Sequence, residues 1–377
     1  MLRETGDLRR LVRRFGDGNN SHPLIRSMVH NNIRREGPVV LAPMTLGSAL
    51  RKALAVSPVE IINDIKTSCL RGRRGAGFPT GMNQNLLGRN ILGKRGFHFD
   101  IRIQMGAGAC VCGEETAMIS SCEGHRGDPK NRPPFPAQKG YLGMPTTANI
   151  VETFCCVARI LDDGPGWFSE IGTRGSTGTT LLSVSGDCSG PGVYEVPFGI
   201  PLSELLTIVG AEDAGAVQVG GPSDRMVSRA EFHRTICYDD LATGGSAMSF
   251  GPNRNILKIA LKFLDFFVEE SCGYCTPCRV GNVLMKQKLE QIIEGRGQIG
   301  DLEHLQEHGT TMKLTSRCGL GQTAARPVLT TLHAFRPVYE TLLRKRPEEP
   351  CLASFDIRAA PQESEKLAGR ASEVFAA

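Results

Sequence analysis

In two segments of the first half of the chain, apolar residues recur every three or four positions, which is the spacing of a helix. Residues 45–68 are predicted to be helical, because Ser57, Pro58 and Glu60 form a capping box with proline at the first helical position. A second helix is predicted over residues 151–161, where apolar side chains recur every three or four positions. These segments predict helices that each bury one face.

The last third of the chain is predicted to be a bundle of helices. From residue 255 onward, apolar residues follow three stripes at the spacing of helices that bury one side. The stripes are Ile256, Ile259, Ala260, Phe263 and Phe267; then Val283, Leu284, Leu289, Ile292 and Ile293; then Val328, Leu329, Leu332, Phe335, Tyr339, Leu342 and Leu343. We expect the bundle to cover residues 251–345, with a polar extension at 1–40 and a polar tail at 346–377.

Short β segments occupy the middle of the chain. Residues 181–186, 193–199 and 216–221 have the pattern of short strands and are separated by Gly and Pro. A single short helix is predicted at 201–209. The pattern predicts a small mixed-β domain over residues 178–250. A further strand is predicted earlier, at Phe97–Met105, where polar and apolar residues alternate.

Composition narrows the class of protein without identifying it. The 377 residues are 40% hydrophobic and 22% charged, which is typical of a globular chain of two or three domains. A net charge of +5 gives no basic tract that would indicate nucleic-acid binding. Charged residues interrupt every apolar stretch before it reaches the about 20 residues that a membrane-spanning helix needs. The N-terminus lacks the apolar core of a secretory signal, so we expect a cytoplasmic protein.

Four of the thirteen cysteines form a pattern that predicts a metal centre. Cys272, Cys275 and Cys278 are spaced C-x2-C-x2-C, and Cys318 lies in a later glycine-containing loop. Three closely spaced thiolates can each reach a different iron of a cubane, and the fourth iron takes a distant ligand. The sequence therefore predicts a 4Fe–4S cluster. Zinc is the alternative, although it prefers two separate C-x2-C pairs. We assign the other nine cysteines to packing, most of them as buried, reduced thiols.

Two further segments carry candidate binding residues. Glycines are dense over Gly72–Gly81, where backbone N–H groups could approach a phosphate or a flavin, or the segment could be only a tight connection. Glu114 and Glu115 follow Gly113 where a helix is predicted to begin. Their carboxylates could stabilise the helix N-terminus or point into a nucleotide site. No pairing of a nucleophile with a base stands out, so no catalytic side chain is assigned.

Five segments in this order resemble the NADH-binding flavoprotein subunit of respiratory complex I and its soluble relatives. They are Gly72–Gly81, Cys112–Thr116, Arg132–Pro136, Pro145–Thr153 and Glu270–Arg279. The diaphorase subunits of NAD-reducing nickel–iron hydrogenases resemble the chain most, on the segments Arg102–Gly108, Leu181–Pro191 and Thr315–Gly321. The β subunits of NAD-dependent formate dehydrogenases are the neighbouring possibility.

The resemblance implies an α/β architecture of three parts. A Rossmann-like FMN/NADH domain would span 41–177, a β-grasp domain of the soluble-ligand-binding type would span 178–250, and a helical bundle at 251–345 would hold the cluster. The implied activity is that of a diaphorase, an oxidoreductase that passes electrons between NAD(H), FMN and the 4Fe–4S cluster. The implied partners are a small 2Fe–2S subunit and hydrogenase or formate dehydrogenase subunits.

The resemblance also implies roles for individual residues. The FMN loop would comprise Gly72, Arg73, Gly75, Ala76, Gly77 and Phe78, with Phe78 near the nicotinamide. Gly113, Glu114, Glu115 and Phe135 would lie on the dinucleotide side, and Asn149 on the flavin side. The cofactors would carry the chemistry, and the protein would orient them.

The chain departs from this family in the flavin region. After Gly81 the family continues into several dozen residues with an acidic segment, whereas here Met82–Gln84 leads directly to Leu86, so the domain is truncated. Arg74 stands in place of a glycine, and Ile150 in place of an asparagine. Two hypotheses remain open. The chain is either a diaphorase subunit or a non-catalytic, cluster-bearing partner subunit that has lost flavin and NADH binding.

Overall fold

The structure is a computed structural model that describes residues 32–45, 47–73, 104, 109–343 and 369. The predicted strand at Phe97–Met105 lies outside the described residues, apart from Gln104. The helices are α1 (Ser48–Ala55), α2 (Pro58–Thr67), α3 (Glu115–Cys122), α4 (Val151–Asp163), α5 (Pro165–Glu170), α6 (Leu202–Val209), α7 (Ile256–Glu270), α8 (Thr276–Arg279), α9 (Gly281–Ile293), α10 (Gly300–Thr315), α11 (Gly319–Thr323), α12 (Arg326–Ala334) and α13 (Arg336–Leu342). The strands are β1 (Ile33–Arg35), β2 (Gly172–Thr173), β3 (Ser176–Thr177), β4 (Thr179–Gly186), β5 (Gly192–Pro197), β6 (Ala216–Val219), β7 (Arg225–Ser228) and β8 (Ser246–Phe250).

A six-stranded mixed sheet forms the middle of the molecule, in the order β1-β5-β4-β8-β6-β7. The pairs β4–β5, β6–β8 and β6–β7 are antiparallel, whereas β1–β5 and β4–β8 are parallel. Helix α6 packs on the sheet, since Leu202 and Leu206 share a buried core with Leu182, Val196 and Val217. The three predicted strands and the predicted short helix are confirmed. Strands β1, β7 and β8 were not predicted.

The C-terminal helices form the predicted bundle, but two of its apolar faces differ from the prediction. On α7, Ile256 and Phe263 pack toward the sheet, beside Phe250, so this helix lies between two cores. On α9 the buried face runs through Met285 and Leu289, whereas the predicted members Val283 and Leu284 are 37% and 47% exposed. The stripe was misplaced because the α9 sequence has apolar residues on more than one face.

The described part of residues 41–177 is mostly helical. The predicted helix at 45–68 is two helices, α1 and α2, and the capping box of Ser57 and Glu60 begins the second of them. Helix α4 confirms the prediction at 151–161. Its buried Cys156 and Ile160 pack with Ile65 and Phe168. Among the described residues of this region, the strands are the two-residue β2 and β3, and a Rossmann-like parallel sheet is not seen.

The side chain of Glu195 in β5 joins the N-terminal segment to the sheet. Its carboxylate is 1% exposed and accepts hydrogen bonds from the backbone N–H groups of Gly37, Val39, Val40 and Leu41, at 2.8–3.2 Å. The Thr179 hydroxyl also donates to it, at 2.6 Å. Four backbone donors on one buried carboxylate satisfy the charge that burial would otherwise penalise.

No helix among the described residues is long and apolar enough to cross a membrane.

Candidate functional site

The four cysteines of the predicted metal centre are brought to one cavity. Cys272, Cys275, Cys278 and Cys318 line it together with Val111, Pro129, Ser271, Tyr274, Arg317 and Leu320. Residues about 40 positions apart in sequence therefore meet at the end of the helical bundle. The sequence pattern indicated these four residues, and the structure brings all four together.

Helix ends and tight turns position these four residues. Cys272 follows the end of α7, and Gly273 after it has a φ of 76°, a left-handed conformation that favours glycine. Cys275 is the N-cap of α8, and Cys278 lies within that helix. Cys318 is the N-cap of α11. Helix N-termini carry partial positive charge, which favours thiolates over thiols once a metal is present.

The cavity has a buried side and a more open side. Cys278 and Cys318 are 5% and 7% exposed, whereas Cys272 and Cys275 are partly exposed. Burial raises the pKa of the Cys278 thiol, and the nearby Cys275, Cys318 and Cys272 add to that rise. Burial also raises the pKa of Cys318, again with contributions from Cys272 and Cys275. Burial of these two sulfurs disfavours a bare thiolate, so the charged form requires a cation to offset its negative charge.

Polar groups surround the sulfur atoms of the two buried cysteines. The Ser271 hydroxyl lies 3.4 Å from Cys278 Sγ, and the Asn282 amide nitrogen lies 3.5 Å from the same sulfur. Backbone N–H groups of Leu320 and Gly321 donate to Cys318. The Ser316 hydroxyl is buried and has no hydrogen-bond partner. This excess of donors suits a group that brings additional sulfur acceptors.

The arrangement fits a cluster better than a single ion. Within the described residues, no group of three or more His, Cys, Asp or Glu side chains is close enough to hold one metal ion, yet the four cysteines share one cavity. A tetrahedral zinc site needs all four sulfurs about 2.3 Å from one point. An iron–sulfur cube needs one sulfur at each of four separated irons. The donor set therefore fits a 4Fe–4S cluster.

The segment before residue 132 packs directly against the cysteine loops. Arg126 donates to the carbonyl oxygen of Cys272, at 2.8 Å, and the backbone N–H of Cys110 donates to Glu270, at 2.7 Å. Arg317 donates from Nε to Asn131 Oδ1, at 2.7 Å. Its guanidinium also lies 4.0 Å from the centre of the Tyr274 ring. Sequence reasoning missed Arg317, since an arginine beside a cysteine carries no pattern of its own.

The two glutamates at the start of α3 have different surroundings. Glu114 is the N-cap, and its carboxylate accepts the backbone N–H groups of Thr116 and Ala117, each at 2.9 Å. Glu115 forms an ion pair with Arg132, at 2.9 Å. The guanidinium of Arg132 lies 5.8 Å from the ring centre of Phe135, which is 51% exposed. The structure thus brings Glu115 and Phe135 together around one arginine, after a 3-10 turn that ends at Gly113.

The predicted flavin loop is described only at its beginning. Gly72 accepts a hydrogen bond from the Tyr238 hydroxyl, at 2.5 Å. The Arg73 side chain is 2% exposed and donates to the Thr177 carbonyl, at 2.9 Å. That side chain points into the protein rather than toward a cofactor. Gly75, Ala76, Gly77 and Phe78 lie outside the described residues. Asn149 lies in the half-buried loop before α4.

The prediction that most of the other cysteines are buried was wrong for those that the structure describes. Only Cys156 and Cys237 among them are buried, while Cys69, Cys110 and Cys122 are exposed. The prediction failed because Cys69 and Cys122 lie at helix ends or faces that turn toward solvent.

A mixed sheet joined to a helical bundle that collects four cysteines defines an iron–sulfur protein. Residues 258–342 match the family described as the NADH-ubiquinone oxidoreductase-F iron-sulfur binding region. The chain is 41% identical to the NAD-reducing hydrogenase HoxS subunit alpha of Cupriavidus necator, over 89% of this chain and 69% of that relative. It is 33% identical to a NADH-quinone oxidoreductase subunit of Streptomyces coelicolor, over 77% of this chain and 84% of that relative.

A solved structure has the same fold. The crystal structure of NAD+-reducing [NiFe]-hydrogenase in the H2-reduced state matches with a TM-score of 0.76 and 31% identity, over 90% of this chain and 72% of that chain. The chain therefore belongs to the NADH-ubiquinone oxidoreductase-F family, together with the hydrogenase subunits related to it. The resemblance read from the sequence motifs is confirmed.

Proposed function

We propose that this protein is a diaphorase-type subunit that passes electrons between NAD(H), FMN and a 4Fe–4S cluster. The observation that carries this proposal is the cavity lined by Cys272, Cys275, Cys278 and Cys318. Its wall includes Val111, from the segment that leads into Glu115. The proposed electron acceptor and the proposed dinucleotide side are therefore neighbours in the fold.

The four cysteines would bind the cluster through their thiolates. A bound cluster would accept and release one electron at a time, whereas NADH gives up two electrons together as a hydride. A flavin between them is needed because it can take two electrons and pass them on singly. Cys278 and Cys318 would hold the buried side, and Cys272 and Cys275 the side nearer to solvent. Arg126, bonded to the Cys272 carbonyl, would fix the loop that carries the first two ligands.

The residues proposed for flavin and dinucleotide binding lie along one stretch of the chain. Glu115 and Phe135, held beside each other by Arg132, would contact the dinucleotide, with Gly113 and Glu114 at the same turn. Asn149 would lie on the flavin side, with Gly72 beginning the FMN loop that continues through Gly75, Ala76, Gly77 and Phe78. Arg73 would act there by its backbone, because its guanidinium is buried.

Three domains accommodate these parts. We assign residues 41–177 to a truncated FMN/NADH-binding domain and residues 251–345 to the cluster domain. The strand order β5-β4-β8-β6-β7, with α6 across it, supports a β-grasp domain at 178–250. As a subunit, the protein would pass electrons to a 2Fe–2S subunit and to hydrogenase or formate dehydrogenase subunits.

The proposal is tested by loading the full chain anaerobically with iron, sulfide and FMN. We expect about four irons and four sulfides per chain, bound flavin, and cluster reduction by NADH without dithionite. Cys318→Ser, which removes the distant ligand, should abolish the EPR signal of the reduced cluster, whereas Cys237→Ser, at a buried cysteine outside the cavity, should not. Zinc bound in place of iron and sulfide would refute the cluster.

A non-catalytic, cluster-bearing partner subunit is the second candidate. The burial of the Arg73 side chain and the use of Glu114 as a helix cap favour it, since two of the proposed binding side chains are engaged within the protein. In that case the loaded chain would show the cluster signal with dithionite and none with NADH, and it would retain no flavin.

A further inference from the structure

Asn282 occupies a position where a polar side chain is unfavourable unless it has a function. It is the second residue of α9, it is 0% exposed, and the helix is otherwise buried through apolar residues such as Met285. Its side-chain oxygen has no hydrogen-bond partner. A buried amide with an unsatisfied oxygen costs free energy, which an apolar side chain of similar size would avoid.

The contacts of Asn282 fix which end of its amide faces Cys278. The amide nitrogen lies 3.3 Å from the Phe267 carbonyl oxygen and 3.5 Å from Cys278 Sγ. A carbonyl oxygen can only accept a hydrogen bond, and so can a thiolate that is bound to iron. Both neighbours therefore demand a donor, and the amide presents its NH2 group to both. The helical separation of four residues places Asn282 beneath Cys278.

The Ser271 hydroxyl provides a second donor to the same sulfur. It accepts the backbone N–H of Gly273, at 3.2 Å, so its own proton is available for Cys278 Sγ, at 3.4 Å. Cys278 thus has two side-chain donors directed at one buried sulfur. Hydrogen bonds to cluster sulfurs stabilise the more negative, reduced form and raise the reduction potential.

We propose that Asn282 is a positioning residue that sets the reduction potential of the cluster by hydrogen bonding to the Cys278 thiolate. This inference rests on the proposed function, since it requires the cluster to be bound. One electron enters the cluster on reduction and its net charge falls by one. A donor from Asn282 would favour that reduced state, so the cluster as a whole would have a higher reduction potential.

A purely structural role for Asn282 must be separated from this one. The Phe267 carbonyl belongs to the last turn of α7, where carbonyl oxygens lack partners within the helix, and Asn282 satisfies it. Loss of that bond would lower stability but would leave the potential unchanged. Thr331 offers a matched control, because its buried hydroxyl bonds the Tyr339 hydroxyl, at 2.7 Å, in the same bundle.

The test is a redox titration of the full chain, loaded with iron and sulfide and followed by EPR. Asn282→Leu and the smaller Asn282→Ala both remove the donor without adding a charge. Each should lower the midpoint potential, by an amount that corresponds to an about three- to tenfold change in the one-electron equilibrium constant, where tenfold is 59 mV. Thr331→Val should lower the melting temperature and leave the midpoint potential unchanged.

The outcomes separate the two proposals. If the wild-type chain binds no iron and sulfide, both the proposed function and the role of Asn282 are rejected. If the wild-type chain binds the cluster and the Asn282 variants keep its potential, the role of Asn282 alone is rejected. If Asn282→Leu does not retain a cluster, the potential of Asn282→Ala decides.

Discussion

The substitution Gly321→Ala tests how tightly the cysteine loops are packed. A Cβ atom at Gly321 would lie 2.8 Å from the Cβ and Oγ atoms of Ser316 and 3.0 Å from the Cβ atom of Cys278. The Ser316 Oγ atom can rotate away, but the two Cβ atoms are fixed to the backbone, so the loops must separate by a few tenths of an ångström. Overpacking of this kind costs about 1–3 kcal/mol of unfolding free energy. It would also move Cys278, so cluster occupancy should fall.

Gly319 provides the matched control, because it lies in the same short helix, α11, and a Cβ atom there would meet nothing within 4 Å. Both variants gain the same advantage of alanine over glycine in a helix, at most about 1 kcal/mol. The difference between them therefore isolates the packing cost. Urea titration gives the two unfolding free energies, and iron analysis gives the occupancy. Equal stability and equal iron content in Gly319→Ala and Gly321→Ala would refute the argument.

Two further predictions concern titratable groups. Burial raises the pKa of Asp224 to about 6, despite its ion pair with Arg326 at 3.3 Å, the backbone N–H of Gly244 and the nearby Arg225. The folded state thus binds this proton more tightly than the unfolded state, so stability should fall as the pH rises from about 4 to about 6. Urea titrations across that range should show that this decrease in unfolding free energy disappears in Asp224→Asn and persists in the exposed Asp213→Asn. The same decrease in Asp224→Asn as in the wild type would contradict the assignment. Burial also raises the pKa of Cys156 to about 11, so iodoacetamide at pH 8 should modify exposed Cys69 and Cys122 well before Cys156, as mass spectrometry can measure. Equal rates for Cys156 and Cys69 would disprove this assignment.

The sequence predicted those parts of the molecule that depend on local pattern. Spacing alone identified the four cavity cysteines, and the capping box at Ser57 located the start of α2. Strand β7 was missed because it has only four residues and follows a Gly-Gly-Pro turn. The partners of Cys278, namely Ser271 and Asn282, were missed because they depend on how α7, α8 and α9 meet in space.

The carboxylate of Glu195 has a consequence for dividing the protein into pieces. The domain assigned to residues 178–250 contains Glu195, but the four backbone donors to its carboxylate come from residues 37–41, about 155 positions earlier. An excised fragment of residues 178–250 would keep the charge and lose those donors, leaving a carboxylate beside an apolar core. This boundary in sequence is therefore not a boundary in folding: a fragment able to stand alone must also include the segment around Val39.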